Sequence, residues 1–204
     1  MKTFSTLLVA LLATVSLSAQ AVPLSLANFS GTESIINFNA EAAGSISGPV
    51  TYQGVTFVAQ SGGFSIQSSA GSLLGTTGAA LNTNSGANTG DLTLNFATGI
   101  SRFGANFGTC NSCATLSATV TAYDASNLVV ESMSFPSFAN TFVGFDFASS
   151  VSKIVIDRTD STSFFTFIDD VRFKEGGQVP EPGSLALIGM GALAVAMARR
   201  RRKN

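Results

Sequence analysis

The sequence predicts an all-β domain, a β-sandwich of jelly-roll type, and three observations carry that expectation. Short stretches alternate apolar residues with Ser, Thr or Asn, as in Leu92/Leu94/Phe96 and Leu116/Ala118/Val120/Ala122. Such alternation gives a strand one apolar and one hydrated face, which suits an antiparallel sheet packed on one side. These stretches are separated by clusters of Gly, Asn, Asp and Ser, and helix signals are scarce between them. The chain has no Trp, and 16 of its 17 Phe lie between residues 22 and 178, so Phe must fill the core.

Taken in order, residues 1–21 read as a signal peptide. Lys2 supplies the positive end, residues 7–15 an apolar run too short to span a bilayer, and Ala19-Gln20-Ala21 a small-x-small cleavage site. The exported domain then runs over 22–178, with strands expected at 34–39, 50–59, 91–97, 101–107, 114–124, 127–135, 141–147, 151–159 and 163–173. Residues 68–90 interrupt this pattern. Rich in Ser, Gly, Thr, Asn and Ala, they are expected to form a mobile loop. The last segment, 179–204, has three parts in strict order: Val179-Pro180-Glu181-Pro182, an uncharged stretch at 185–198 expected to be a short transmembrane helix, and a basic stop of Arg199, Arg200, Arg201, Arg202 and Lys203. The prolines keep their stretch extended. The 14-residue apolar run is shorter than the roughly 20 residues of a full span, yet snorkelling arginines extend its reach. The basic cluster sets the C-terminus on the cytoplasmic side.

Composition excludes several functions. With no His, neither a Ser-His-Asp nor a Cys-His nucleophile site can be assembled, nor a His-ligated metal centre. The formal net charge of −1 hides a segregation: residues 22–178 hold five basic and eleven acidic side chains, an excess of six negative charges that argues against nucleic acid as a ligand. Glu33, Glu41, Glu131 and Glu175 stand in no recognisable acid/base context, and no catalytic residue is assigned.

Three polar features remain as candidate sites. In 163–173, parity puts Phe165, Phe167, Asp169, Val171 and Phe173 on one face, leaving Asp169 as a carboxylate among apolar groups. That is costly unless the group is paired or binds a metal. A calcium ion held by hard oxygen ligands would resolve it, and so would a hydrogen bond from a neighbouring loop, with Asp170 solvated. Cys110 and Cys113, with two residues between them in an exported chain, are expected to form a disulfide clipping a loop. Tyr52 and Tyr123 are the only tyrosines. Core packing and a hairpin flank are their expected places, and they are also the aromatic side chains from which a sugar platform would be built.

The tail resembles the PEP-CTERM sorting signal of Gram-negative bacteria: Val179-Pro180-Glu181-Pro182, an apolar helix and an arginine-rich end. The resemblance implies recognition by an exosortase, a membrane cysteine transpeptidase that cleaves near Pro-Glu-Pro. The precursor would be held transiently in the inner membrane and its product delivered to the surface or outside the cell, in bacteria that make extracellular polymer. Within the domain, Ile36-Asn37-Phe38-Asn39 with Tyr52–Phe57, Val120–Asn127, and Phe167-Ile168-Asp169-Asp170-Val171-Arg172-Phe173 resemble jelly rolls often joined to such tails. In related jelly rolls the Asp-Asp strand helps hold a structural Ca2+, with a carboxylate partner at the position occupied here by Asn39, near Glu41. The function expected is that of an exported, non-enzymatic surface or extracellular-matrix protein. The alternative is a carbohydrate-binding module for exopolysaccharide, with a structural calcium ion.

Overall fold

The computed structural model describes residues 22–60, 62–83, 91–108, 117–135, 140–158 and 166–176. The signal peptide, the tail 179–204, Cys110 and Cys113 lie outside the described residues. Among those described, no helix is long and apolar enough to cross a membrane.

Among the described residues, twelve strands form one continuous open sheet: β1 (Val22–Leu24), β2 (Ser34–Ile36), β3 (Gly44–Ile46), β4 (Val50–Tyr52), β5 (Val55–Ala59), β6 (Phe64–Gln67), β7 (Ala80–Thr83), β8 (Leu92–Gly108), β9 (Ala118–Tyr123), β10 (Val129–Phe135), β11 (Thr141–Arg158) and β12 (Phe167–Glu175). Every pairing between them is antiparallel. Two 3-10 turns, Leu26–Asn28 and Ala70–Leu74, complete the described elements.

Two long strands turn this sheet into two layers. β8 and β11 pair over 17- and 18-residue lengths, but their register breaks between Asp146 and Lys153. At that bend Gly99 lies so close to Ser150 that a Cβ would collide with its hydroxyl. The front layer comprises β4, β5, the first half of β8, the second half of β11, β9 and β10. The remaining halves of β8 and β11 carry β1, β12, β2, β7, β6 and β3 as the back layer. Leu94, Ile154 and Val120 of the front share one buried cluster with Phe103, Phe107 and Val171 of the back. Phe135 of β10 meets Phe145 of β11 across it, ring centroids 6.4 Å apart.

Several expected elements take a different form. The expected strands 91–97 and 101–107 are one strand, as are 141–147 and 151–159, because the Gly and Ser residues between them mark bends rather than turns. The expected strand 50–59 is instead a hairpin. Gln53 (φ 47°) and Gly54 (φ 79°) both adopt positive φ, the two-residue turn whose twist matches a right-handed strand pair. Part of the stretch expected to be a mobile loop is core. Ala70, Gly71, Leu74, Ala79, Ala80 and Leu81 are buried, and residues 84–90 lie outside the described set. The small side chains there permit close approach: a Cβ on Gly71 would sit 2.7 Å from the Thr77 backbone.

Candidate functional site

Asp169 is fully buried, as expected, but it faces away from the main core. β12 carries a bulge between Asp169 and Arg172, with Asp170 in the left-handed region at φ 48°. The extra residue switches faces. Ile168, Val171 and Phe173 join the main cluster, whereas Phe167 packs with Ala70, Leu74 and Ala80 in a second one. The single Phe165–Phe173 face expected from parity therefore does not exist. Asp169 lies on the outer side of the back layer, opposite Asn106 in register and beneath residues 70–79.

There the Thr76 hydroxyl lies 2.6 Å from Asp169 Oδ2, while Oδ1 is buried with no hydrogen-bond partner. Burial pushes the Asp169 carboxyl above the usual aspartate range, and the neighbouring Asp170 charge adds to this. The Thr76 hydroxyl and the backbone N–H groups of Asp170 and Phe38 pull the other way without cancelling it.

A calcium ion needs six to eight oxygen ligands, carboxylates prominent among them. The neighbouring side chains that the resemblance points to are engaged elsewhere or turned to solvent. Asn39 Oδ1 already accepts the Ala79 N–H at 2.8 Å, Glu41 is exposed, and Asp170 pairs with Arg172 at 3.1 Å. Among the described residues no group of three or more acidic, Cys or His side chains converges. Asp169 thus meets a neighbouring loop, as the simpler expectation had it. Asp170 is half-buried in an ion pair rather than freely solvated.

Tyr52 and Tyr123 are placed differently from each other. Tyr52 packs edge-on against Phe38 and Phe57 at 5.3 and 6.2 Å, and burial, then Glu41, raises its phenol above the ordinary value. It is part of the core flank. Tyr123 ends β9 on the outer face of the front layer, with Lys153 Nζ 4.3 Å from its ring centroid and bonded to Asn127 Oδ1. The hairpin it flanks turns on Asp124, whose Oδ1 accepts the N–H groups of Ser126 and Leu128.

Register makes this outer face regular. Thr51, Thr56, Asn95, Lys153 and Tyr123 are consecutive partners on β4, β5, β8, β11 and β9. At roughly 4.8 Å per strand that row spans about 19 Å. Beside it, Thr121 and Thr119 meet Ser132 and Ser134 at 3.1 and 3.0 Å. The face offers hydroxyls and amides, one aromatic ring, the Lys153 cation and, opposite Thr119, the exposed Asp157 carboxylate.

A third feature escaped the sequence. Arg102 grips Asp146 with two hydrogen bonds of 2.8 and 2.7 Å, reaches Glu33 at 3.2 Å and the Asn28 carbonyl at 3.2 Å, and lies over the Phe29 ring. It ties the N-terminal segment onto the back layer. The register of β8 with β11 was the one signal that would have joined Arg102 to Asp146, and the register is not readable before the bend is known.

Together these features define an all-β sandwich. The model of the PEP-CTERM protein-sorting motif matches residues 178–202, which include Val179, Pro180, Glu181, Pro182 and the four arginines. The chain therefore carries a PEP-CTERM sorting motif, and that motif implies a precursor exported and processed by an exosortase. No curated protein matches the chain. Among solved structures, the K2 cleaved adhesin domain of Lys-gingipain is 12% identical, covering 70% of this chain and 99% of its own at a TM-score of 0.48. The K1 cleaved adhesin domain, from Porphyromonas gingivalis W83, is 16% identical over 72% of this chain and 100% of its own, with a TM-score of 0.45. The module TmCBM61, solved with β-1,4-galactotriose, is 11% identical over 61% and 90%, with a TM-score of 0.42. At these scores the likeness assigns neither ligand nor activity to this chain.

Proposed function

We propose that this chain is a non-enzymatic surface or extracellular-matrix protein of a Gram-negative bacterium, whose jelly-roll domain 22–178 is the cargo of its own sorting tail. The observation that carries this reading is the motif match at 178–202, placed directly after the last described strand. On this reading residues 1–21 open export, 185–198 hold the precursor in the inner membrane, and Arg199–Lys203 stop transfer. The exosortase then acts at Val179–Pro182. Cys110 and Cys113 close a disulfide in the oxidising space outside.

Mass spectrometry of cell fractions tests it. Extracellular material is expected to lack both residues 1–21 and the arginine end. Replacing Pro180 and Pro182 together with Ala is expected to leave an unprocessed precursor in the inner membrane and reduce the extracellular product to background. Residues 199–204 still attached to extracellular protein would contradict the assignment.

The front face supports a second reading, attachment to the cell's own exopolysaccharide. The register row from Thr51 to Tyr123 presents donors and acceptors suited to sugar hydroxyls beside an aromatic ring. Calorimetric titration of the full chain with exopolysaccharide is expected to show saturable heat, and Tyr123→Ala to weaken binding about tenfold, the equivalent of about 1.4 kcal/mol. A flat titration would leave the matrix role without this attachment.

A further inference from the structure

We propose that the polymer attached at the front face is an uncharged polysaccharide, laid along the row Val58, Thr93, Val155, Thr121 and Ser132. This rests on the attachment reading above and adds the chemical class of its ligand. The five residues are consecutive register partners on β5, β8, β11, β9 and β10. Phe57, Leu94, Ile154 and Val120 beside them belong to the core, so alternation turns the row outward. Val58, Thr93, Val155 and Thr121 are half-buried and Ser132 is exposed. The Val and Thr methyl groups make an apolar floor. The Thr121 and Ser132 hydroxyls, 3.1 Å apart, use one proton between them and keep the other, with free lone pairs. A pyranose ring has the matching character, C–H faces with a rim of hydroxyls.

Charge flanks this row and does not enter it. On β11, Lys153 stands two residues to one side of Val155 and Asp157 two residues to the other, each about 7 Å along the strand. Lys153 lies in the neighbouring register row, its Nζ bonded to Asn127 Oδ1 at 2.6 Å and placed over the Tyr123 ring. Asp157 is exposed opposite Thr119. Asp91, half-buried just before β8, accepts the Arg158 N–H at 3.1 Å on the same margin. Desolvation, then the Asp91 charge, push the Asp157 carboxyl above the usual aspartate range, so the two carboxyls feel each other.

These margins discriminate by repulsion. At physiological salt, exposed charges act over about 8 Å, so both margins reach a chain lying on the row. A polymer carrying carboxylates or sulfates meets Asp157 and Asp91, and one carrying amines meets Lys153. A chain of neutral sugars meets no like charge. The excess of six negative charges in residues 22–178 weighs further against an acidic polymer. Asp157 therefore sets the charge class of the ligand by what it repels.

Exopolysaccharide of the producing cells, separated by ion exchange into uncharged and acidic fractions, tests this by calorimetric titration of the full chain in detergent. Expected is saturable heat with the uncharged fraction, its affinity changing less than about twofold as salt is raised. The acidic fraction is expected to bind at least about tenfold more weakly. Reducing its carboxyls to alcohols, which keeps the linkages and removes the charge, is expected to recover binding. Asp157→Lys, an exposed substitution that spares the core, is expected to narrow the gap between native acidic and uncharged fractions about fivefold. Acidic polymer bound as tightly as uncharged polymer would overturn the charge assignment and leave attachment standing. An unchanged gap in Asp157→Lys would remove Asp157 from that role. Absence of heat from all three preparations would remove attachment and this proposal together.

Discussion

Replacing Phe103 by Ala is expected to lower the unfolding free energy of the domain by about 3–5 kcal/mol. Phe103 is completely buried in the second half of β8, just past the bend where the sheet passes from front layer to back. It stands opposite Phe145 on one side and Phe173 on the other, and its ring meets Phe96 edge-on at 6.3 Å. Aromatic side chains from both neighbouring strands and from the front layer therefore converge on one position. Truncation removes the ring's burial and leaves a cavity that three rigid strands cannot close. The melting temperature should fall on the order of 10 °C. Leu128→Ala serves as the contrast. That residue lies in the β9–β10 turn, 66% exposed, and its loss should change stability by no more than about 0.5 kcal/mol. A Phe103→Ala chain as stable as the Leu128 variant would mean that the two layers do not pack as described.

Phe103 also shows why the fold class was legible and the topology was not. Strand type follows from local alternation, and Leu92/Leu94/Phe96 or Val120/Ala122 display it within a few residues. Whether two apolar stretches are two strands or one bent strand depends on contacts made elsewhere. Ala97–Gly99 look like a turn in sequence, and only the pairing of β8 with β11 on both sides of the bend makes them a corner. Burial at 70–81 was hidden for another reason. Small residues look like loop until the neighbour that presses on them is known, and here that neighbour is β12.

The candidate site divides along the same line. The chemistry of the tail is written in contiguous residues, so its order of prolines, apolar run and arginines could be read directly. Asp169 was recognised as a carboxylate that would be costly to bury, yet its partner lies 93 positions away in a stretch expected to be mobile. The bulge that decides which face it occupies depends on Asp170 taking a positive φ, which Asp tolerates better than most residues but does not announce. Arg102, Glu33 and Asp146 carried no motif at all, since each is an unremarkable charge until three segments meet.

Arg102→Ala is expected to destabilise the domain by about 3 kcal/mol, the lower end for breaking a buried ion pair, because the Arg102 side chain keeps 23% of its surface in solvent. The loss arises mainly from Glu33, whose side chain is only 1% exposed and whose Oε1 would lose its cation. Burial alone would push the Glu33 carboxyl upward. Its backbone hydrogen bonds and Arg102 outweigh that and hold it below the ordinary glutamate range. Asp146 is likewise held low, chiefly by its hydrogen bonds from Arg102. Carboxyls titrating lower in the folded state give stability that is present above their unfolded values and lost as pH falls through the folded ones. The gap between wild type and Arg102→Ala should therefore be widest near neutral pH and close on acidification. Denaturant melts of wild type and Arg102→Ala across pH would follow that closure. A gap at Arg102 that stays constant with pH would show that its packing over Phe29, rather than its charge, fixes the N-terminal segment.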